Sequence, residues 1–492
     1  MARWLAAYVL AVVSSAGCRT EFVQTAFKPE RAEAGAPNER PGTPADAAAR
    51  LEAGARICGA TIASRITVTP VDVTEDVHYR RLGYNLIPED DRIAFGIGPD
   101  GAPSIAWREA AGSRVHLTAL DGTLARRGAD TVVDATDIGG LVAQRDGAAL
   151  LVTSTDPGEQ LTDPANHGAI ARAAMLLRIR GGVQVAAMPL TGTSSVVAGA
   201  VGQARDCIAS PLNGRLEWNG EKYGAYFAVH GCDGDAHASY YGDKLVYLDD
   251  SGHASPGGWA WNCSIDEGLR LLPGASTFTP ICLSDGTPAR GLNLVAEGRA
   301  SQLIAAEYSA AGYSAGSLGS IVQTGDGGFA VAWSSRGVKN AEGQVVADRA
   351  APDIAFVAMD SSYRVTTAET WLSNTPDVAE LGVHLAPYGA SRLLATWETF
   401  GDLRCNTQTC EGTFLGTHAR LLDATGNFVS PDETIAATPN ELEDIRLFPN
   451  GDLGFVFADV ANRDRSTQPA ADGGAPAPAL RTLSVARVTY CP

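Results

Sequence analysis

The chain has 492 residues, of which 45% are apolar and 19% charged, a composition that folds and does not stay disordered. Its formal net charge is -18, and no cluster of Lys and Arg breaks that acidity. Nucleic-acid binding through phosphate neutralisation needs such a cluster, so a nucleic-acid partner is excluded, and the general surface should repel anionic membranes.

The opening "MARWLAAYVLAVVSSAGCRT" places Arg3 before an apolar run from Trp4 to Val13 and then four small residues. The run is too short to span a bilayer and reads as an export signal over residues 1–17. Ala16-Gly17-Cys18 resembles the lipobox of bacterial lipoproteins, with Ser15 standing where leucine is usual. That resemblance implies a lipid on Cys18, membrane attachment through it, and a place at the cell envelope (outer membrane or periplasm). The plainer alternative is an ordinary signal peptide that leaves Cys18 as a free thiol. Residues 18–57 are rich in Ala, Pro, Glu and Arg without a sustained apolar period, as expected of a flexible tether.

From 58 to 491 two phrases alternate. The first is a glycine turn followed by an alternating strand, as in "GPDGAPSIAW", "QRDGAALLVTS", "TGDGGFAVAW" and "FPNGDLGFVFAD". Its turn glycines are Gly101, Gly147, Gly220, Gly274, Gly327, Gly389 and Gly451, spaced 46 to 73 residues apart. The second is a strand, an acidic or glycine turn and another strand, as in "VHLTALDGTLA", "KLVYLDDSGHA", "AFVAMDSSYRVT" and "ARLLDATGNFV". Period-two alternation marks half-buried strands, and Asp-Gly or Asn-Gly marks tight hairpins. Two hairpins per repeat make four strands, the content of one propeller blade. The fold class expected is therefore all-β, a single propeller over 58–491. Seven blades fit best, with six or eight as alternatives, and a pair of β-sandwiches is the competing architecture. Trp107, Trp333 and Trp397 recur at equivalent places and are assigned to packing between blades. The stretch 466–480, "STQPAADGGAPAPAL", reads as a disordered loop.

The last repeat lacks a strand, and "CGATIASRITVTP" at 58–70 has no partner near it. Completing the final blade with this segment would close the ring and bring Cys58 beside Cys491, which are expected to bond. Setting Cys18 aside leaves eight cysteines, a disulfide framework for an exported chain. Cys405 and Cys410 should close a hairpin tip, while Cys207–Cys232 and Cys263–Cys282 follow from nearness in sequence. Lipobox and repeats together resemble uncharacterised secreted β-propeller lipoproteins of bacteria. The resemblance implies a fold and a location and no reaction.

Two pattern matches are set aside. "GIGPDG" (96–101) lacks the following helix that a dinucleotide site requires, because Pro99, Pro103 and "SIAW" continue as strand. "GYSAG" (312–316) leads into another loop and strand, so Ser314 is no nucleophile elbow. The region 205–285 is unusual for its aromatics, its four cysteines and "HGCDGDAHASYYGDK". Asp233 and Asp235 could face one Ca²⁺, and His237 would suit a transition metal; the plainer reading is a solvated acidic loop pinned by Cys232. Trp259 and Trp261, two apart, would share one side of a strand and could stack on a sugar; the plainer reading is core. The function expected is a monomeric, non-enzymatic scaffold without a cofactor that recognises an envelope glycan or protein. A propeller hydrolase using paired carboxylates and a purely structural envelope component are the alternatives.

Overall fold

The computed structural model describes residues 58–79, 91–154, 162–163, 169–170, 173–191, 206–208, 212–231, 241–264, 268–284, 290–295, 301–307, 317–339, 345, 349–367, 369–405, 410–460, 464 and 480–491. These lie in one compact unit, Gly42–Pro492. The signal, Cys18 and the tether fall outside them, as do Ser314 and all of 466–480 except Leu480. Among the described residues every named element is a β-strand apart from one 3₁₀ turn, Ala63–Arg65.

Apart from the short strands Asp206–Ile208, Val338–Lys339, Thr162–Asp163 and Ala169–Ile170, the strands form successive four-stranded antiparallel meanders, the first two joined in one seven-stranded sheet. The first runs Ala94–Ile97, Pro103–Arg108, Arg114–Ala119 and the opening of Thr131–Gln144. That long strand continues as the inner strand of the second sheet, with Gly147–Ser154, Ala174–Arg180 and Val183–Pro189. The third holds Gly214–Trp218, Tyr223–Gly231, Tyr241–Leu248 and Ala254–Ala260. The fourth holds Leu269–Pro273, Phe278–Ser284, Gly291–Leu294 and Gln302–Glu307. Leu318–Gln323, Phe329–Ser335, Asp353–Met359 and Thr370–Trp371 make the fifth. Val378–Tyr388, Arg392–Cys405, Cys410–Asp423 and Glu433–Ile435 make the sixth. The seventh holds Arg446–Leu447, Leu453–Ala458, Leu480–Val488 and, from the other end of the chain, Ile66–Val77. No sheet closes on itself. The inner strands instead touch one another in cyclic order, first to seventh, and the seventh touches the first.

Local chemistry explains the meander. Gly101, Gly327, Gly389 and Gly451 turn the first hairpins with φ between 72 and 87°, a region that a side chain disfavours. The second hairpins turn on an aspartate whose Oδ1 accepts the backbone N–H groups two and four residues on. Asp121 accepts from Thr123 (2.8 Å) and Ala125 (3.0 Å), and Asp423 from Thr425 (2.8 Å) and Asn427 (3.0 Å). Asp249 and Asp360 repeat the device. Trp107, Trp333 and Trp397 are buried, and each shares a core cluster with the preceding sheet: Trp333 with Ile281 and Leu283, Trp397 with Ala330 and Ala332, Trp107 with Val456 and Val485.

The closing strand begins later than the sequence suggests. Residues 58–65 do not extend, because Ser64 Oγ donates to Thr61 O (2.8 Å) and accepts from Thr61 N (3.1 Å), a local bond that competes with the ladder. Pairing runs from Ile66 opposite Val488 to Val77 opposite Leu480. Cys58 and Cys491 are bonded, 433 residues apart, and so are Cys263 and Cys282. Cys207 is disulfide-bonded, while Cys232 lies outside the described residues. Cys405 and Cys410 stand opposite each other in the backbone register. "GIGPDG" forms the turn between two strands of the first sheet, with no helix after it.

Candidate functional site

An inner strand is flanked by two others, so alternation along it would put apolar side chains on both buried faces. Here each of the seven carries a polar residue instead, within it or just before it: Arg92, Asp137, Arg215, Arg270, Ser320, His384 and Asp444. All but Asp444 are buried, His384 and Arg215 most completely. The strands approach closely enough to gather them because glycines remove obstacles. A Cβ on Gly140 would lie 2.6 Å from Leu216 N, and one on Gly319 would lie 2.6 Å from Val383 O.

Asp444 is the hub. It accepts a hydrogen bond from Ser320 Oγ at 2.8 Å and faces Arg270 Nε at 3.4 Å and Arg215 Nε at 3.7 Å. Arg446 donates from Nη1 to Glu217 Oε1 (2.6 Å) and from Nη2 to Glu443 Oε1 (2.9 Å). The acidic segment that leads in is fixed by Asn440, whose Nδ2 donates to Asp91 O at 3.1 Å and whose carbonyl accepts from Glu443 N at 3.0 Å. Asp444 and Arg446 are the solvent-facing members, with side chains 18% and 20% exposed.

Two arginines share one layout. Arg92 Nη1 is anchored on Gly139 O and Arg215 Nη1 on Gly214 O (2.6 Å). The Nε and Nη2 of each have no hydrogen-bond acceptor among the described residues, apart from the long ion pair of Arg215 Nε. Nε and Nη2 form one edge of the guanidinium, the fork that grips a carboxylate or phosphate. Arg270 differs, since its Nη1 and Nη2 are both spent on the carbonyls of Leu269 and Glu441.

Electrostatics follow from burial. Burial, then Arg270, pushes Arg92 down to about 10, against the pull of Glu443 and Asp444. Burial, then Arg270 and Arg92, lowers Arg215 well below its usual value. A cation so disfavoured is one that a bound anion would stabilise. Burial also opposes the charge of Asp444, but Arg270, Arg215 and Arg446 outweigh it and hold the carboxyl below the ordinary range. Burial followed by Arg270 takes His384 down to about 4, so its ring is neutral at pH 7, and neither nitrogen has a hydrogen-bond partner among the described residues.

A second feature lies at the entry to the inner strand of the sixth sheet. Glu380 is buried, accepts from Thr375 Oγ1 at 2.8 Å, and stands against Asp353, which Arg349 holds. Burial, reinforced by Asp353, pushes Glu380 up to about 8, so it carries its proton at neutral pH.

The residues singled out in 205–285 are placed differently. Trp259 is buried and its Nε1 donates to Asp243 Oδ2 at 3.4 Å; the same carboxylate accepts from Tyr226 OH (2.8 Å), Asn262 N (2.8 Å) and Cys263 N (2.9 Å). The strand stops at Ala260, so Trp261 does not continue it: it adopts φ 64° and donates to Asp206 Oδ1 at 3.0 Å. Lys244 Nζ pairs with the other oxygen of Asp206 at 2.7 Å. Asp233, Asp235 and His237 lie outside the described residues. Among the described residues no three His, Cys, Asp or Glu side chains gather as metal ligands.

Sequence reasoning passed over the axial residues because they stand tens of positions apart. One signal could have found some of them: "GRLEW", "GLRLLP" and "EDIRLF" each put an arginine inside a strand leading to a turn, where alternation calls for an apolar residue.

No protein-family model matches the chain, and no curated protein matches it. Among solved structures, a protein of unknown function from Dyadobacter fermentans is 12% identical over 85% of this chain and 99% of its own, with a TM-score of 0.39. An α-L-arabinofuranosidase from Fusarium graminearum is 11% identical over 84% and 98%, TM-score 0.36. The polysaccharide lyase Uly1 is 10% identical over 82% and 78%, TM-score 0.31. Likeness of this degree decides nothing about the activity of this chain.

Proposed function

We propose that the protein is a seven-bladed β-propeller that serves as a recognition module at the cell envelope, tethered by a lipid on Cys18, and that it binds an anionic group of a glycan or protein at the axial arginines. Seven inner strands in cyclic contact, with a seventh sheet built from both ends of the chain, support the blade count. The disulfides agree with an oxidising compartment. Among the described residues no helix is long and apolar enough to cross a membrane.

The observation that carries the binding proposal is the pair of buried forks on Arg92 and Arg215, oriented by backbone carbonyls and, apart from the long ion pair of Arg215 Nε with Asp444, without hydrogen-bond acceptors among the described residues. A buried donor left unmade costs about 1–3 kcal/mol, more when charged, and an incoming anion recovers that cost. The test is thermal unfolding with acetate, sulfate or phosphate against chloride at constant ionic strength. A ligand at 100 times its Kd stabilises by about 2.7 kcal/mol. Wild type should melt higher with at least one oxyanion, and Arg92→Met and Arg215→Met should lose the gain. A flat response from wild type would refute axial anion binding and leave the arginines as scaffold.

The alternative reading, a hydrolase, is favoured by one observation, the protonated Glu380 beside Asp353. A buried carboxyl that keeps its proton at neutral pH can serve as the general acid, one of the two groups a glycosidase needs. Release of reducing ends from envelope polysaccharide, abolished in Glu380→Gln, would establish it; no release by wild type would remove it.

A further inference from the structure

We infer that the axial site takes a sugar acid: a single carboxylate carried on a polyhydroxylated ring, as in a uronate. This rests on the anion-binding role proposed above and specifies its ligand.

The first part of the argument is charge. Arg92, Arg215, Arg270 and Arg446 share the axis with Glu217, Glu441, Glu443 and Asp444. Arg446 is consumed by Glu217 and Glu443, and Arg270 by two carbonyls and Asp444. Of these four arginines, those whose Nε–Nη2 edge has no hydrogen-bond acceptor among the described residues are Arg92 and Arg215, the latter with a long ion pair to Asp444. With four carboxyl groups so near, a second negative charge on the ligand would meet like charge with little water to screen it. A monoanion suits the site better than a dianion, and a carboxylate matches the Nε–Nη2 edge in two parallel bonds.

The second part is what surrounds the forks. Glu443 Oε2 is a buried acceptor without a donor among the described residues. His384, neutral above about pH 4, offers one donor and one acceptor, both unused. A bare carboxylate has no O–H for Glu443 and no group for His384. A neutral sugar has the hydroxyls and lacks the anion. A hydroxylated ring bearing one carboxylate supplies all three. The net charge of -18 opposes a long polyanion, so the ligand is a free sugar acid or a chain end.

The test is calorimetric titration of the purified, oxidised protein with glucuronate, galacturonate, glucose, acetate, inorganic phosphate and trigalacturonate. A uronate should bind about 10- to 100-fold more tightly than acetate or glucose, the weight of one or two charged hydrogen bonds. Trigalacturonate binding no more weakly than galacturonate would identify a chain end as the source, and markedly weaker binding a free sugar acid. Arg92→Lys, which keeps charge and loses the fork, should cost about tenfold while the melting temperature without ligand stays near wild type. His384→Gln should weaken uronate and leave acetate unchanged. Acetate or phosphate as tight as the uronates would overturn the sugar-acid assignment and leave axial anion binding standing. Glucose as tight as glucuronate would overturn it too. Silence from every probe would overturn both.

Discussion

Asp444→Asn removes a carboxylate that pairs with both Arg215 and Arg270, at 3.7 and 3.4 Å, while keeping the shape and an acceptor for Ser320 Oγ. Taking one partner out of a buried ion pair costs about 3–5 kcal/mol, because the remaining charge is left uncompensated. Unfolding entropy is about 2.1 cal/mol/K per residue, and Cys58 and Cys491 stand 433 residues apart, giving about 0.9 kcal/mol/K for a chain of that length. The melting temperature should therefore fall by about 3–6 °C at pH 7. Arg215→Met should behave oppositely. Its guanidinium has one long ion pair and an unsatisfied Nη2, so an apolar replacement should cost about 1 kcal/mol at most. In the double variant the Asn substitution should cost less than it does alone, since half the orphaned charge is gone. Calorimetry of the four proteins under non-reducing conditions measures the cycle. The sign with pH is fixed: the folded carboxyl of Asp444 sits below its unfolded value of about 3.9, so its stabilisation is full above that pH and is lost as pH falls through the folded value. The gap between wild type and Asp444→Asn should hold from pH 7 to 5 and narrow below about pH 4. A shift under about 1 °C, or a gap that widens in acid, would refute the hub assignment.

Two further outcomes are expected. Cys491→Ser, which opens the bond to Cys58, should lower stability by about 2–5 kcal/mol in oxidising buffer and make no difference once reductant is added to both proteins; unfolding under each condition measures it. Glu380, with its folded carboxyl raised from 4.5 to about 8, contributes stability that is full below the unfolded value and is lost as pH rises through the folded one. Glu380→Gln should therefore gain on wild type between pH 5 and 9 by about 1–3 °C, and equal slopes of melting temperature against pH would count against a protonated Glu380.

The meander was legible because its determinants are local. Gly101, Gly327, Gly389 and Gly451 announce a turn from within three or four residues, and Asp121 or Asp423 completes its own hairpin with the next few N–H groups. The Trp107 and Trp333 wedges recur for the same reason. Ring closure was readable as a strand in want of a partner, although its start at Ile66 depended on a Thr61–Ser64 bond invisible to alternation. The axial site was not legible. Arg92 meets Arg215 and Asp444 only after the ring closes, and nothing near Arg92 in the chain distinguishes it from a surface arginine. Aromatic density drew attention to Trp259, where the residues prove to satisfy one another around Asp243.

The strand exchange between Ile66–Val77 and Leu480–Val488 also sets a schedule. A chain made from its N-terminus, or threaded unfolded through a membrane pore, presents Ile66–Val77 long before its partner exists. Its edge must wait, unpaired, while six sheets assemble from neighbouring segments. Those sheets can form in sequence, each hairpin on its predecessor, but the last awaits a contact across some four hundred residues. Release of the strand Leu480–Val488 is thus the moment at which the axial arginines are enclosed. Until then Arg92 and Asp444, held on the first and seventh sheets, remain in water on either side of a gap. An unfinished chain would therefore present two open strand edges and leave Arg92 and Asp444 apart, a form that a chaperone or protease could tell from the finished chain.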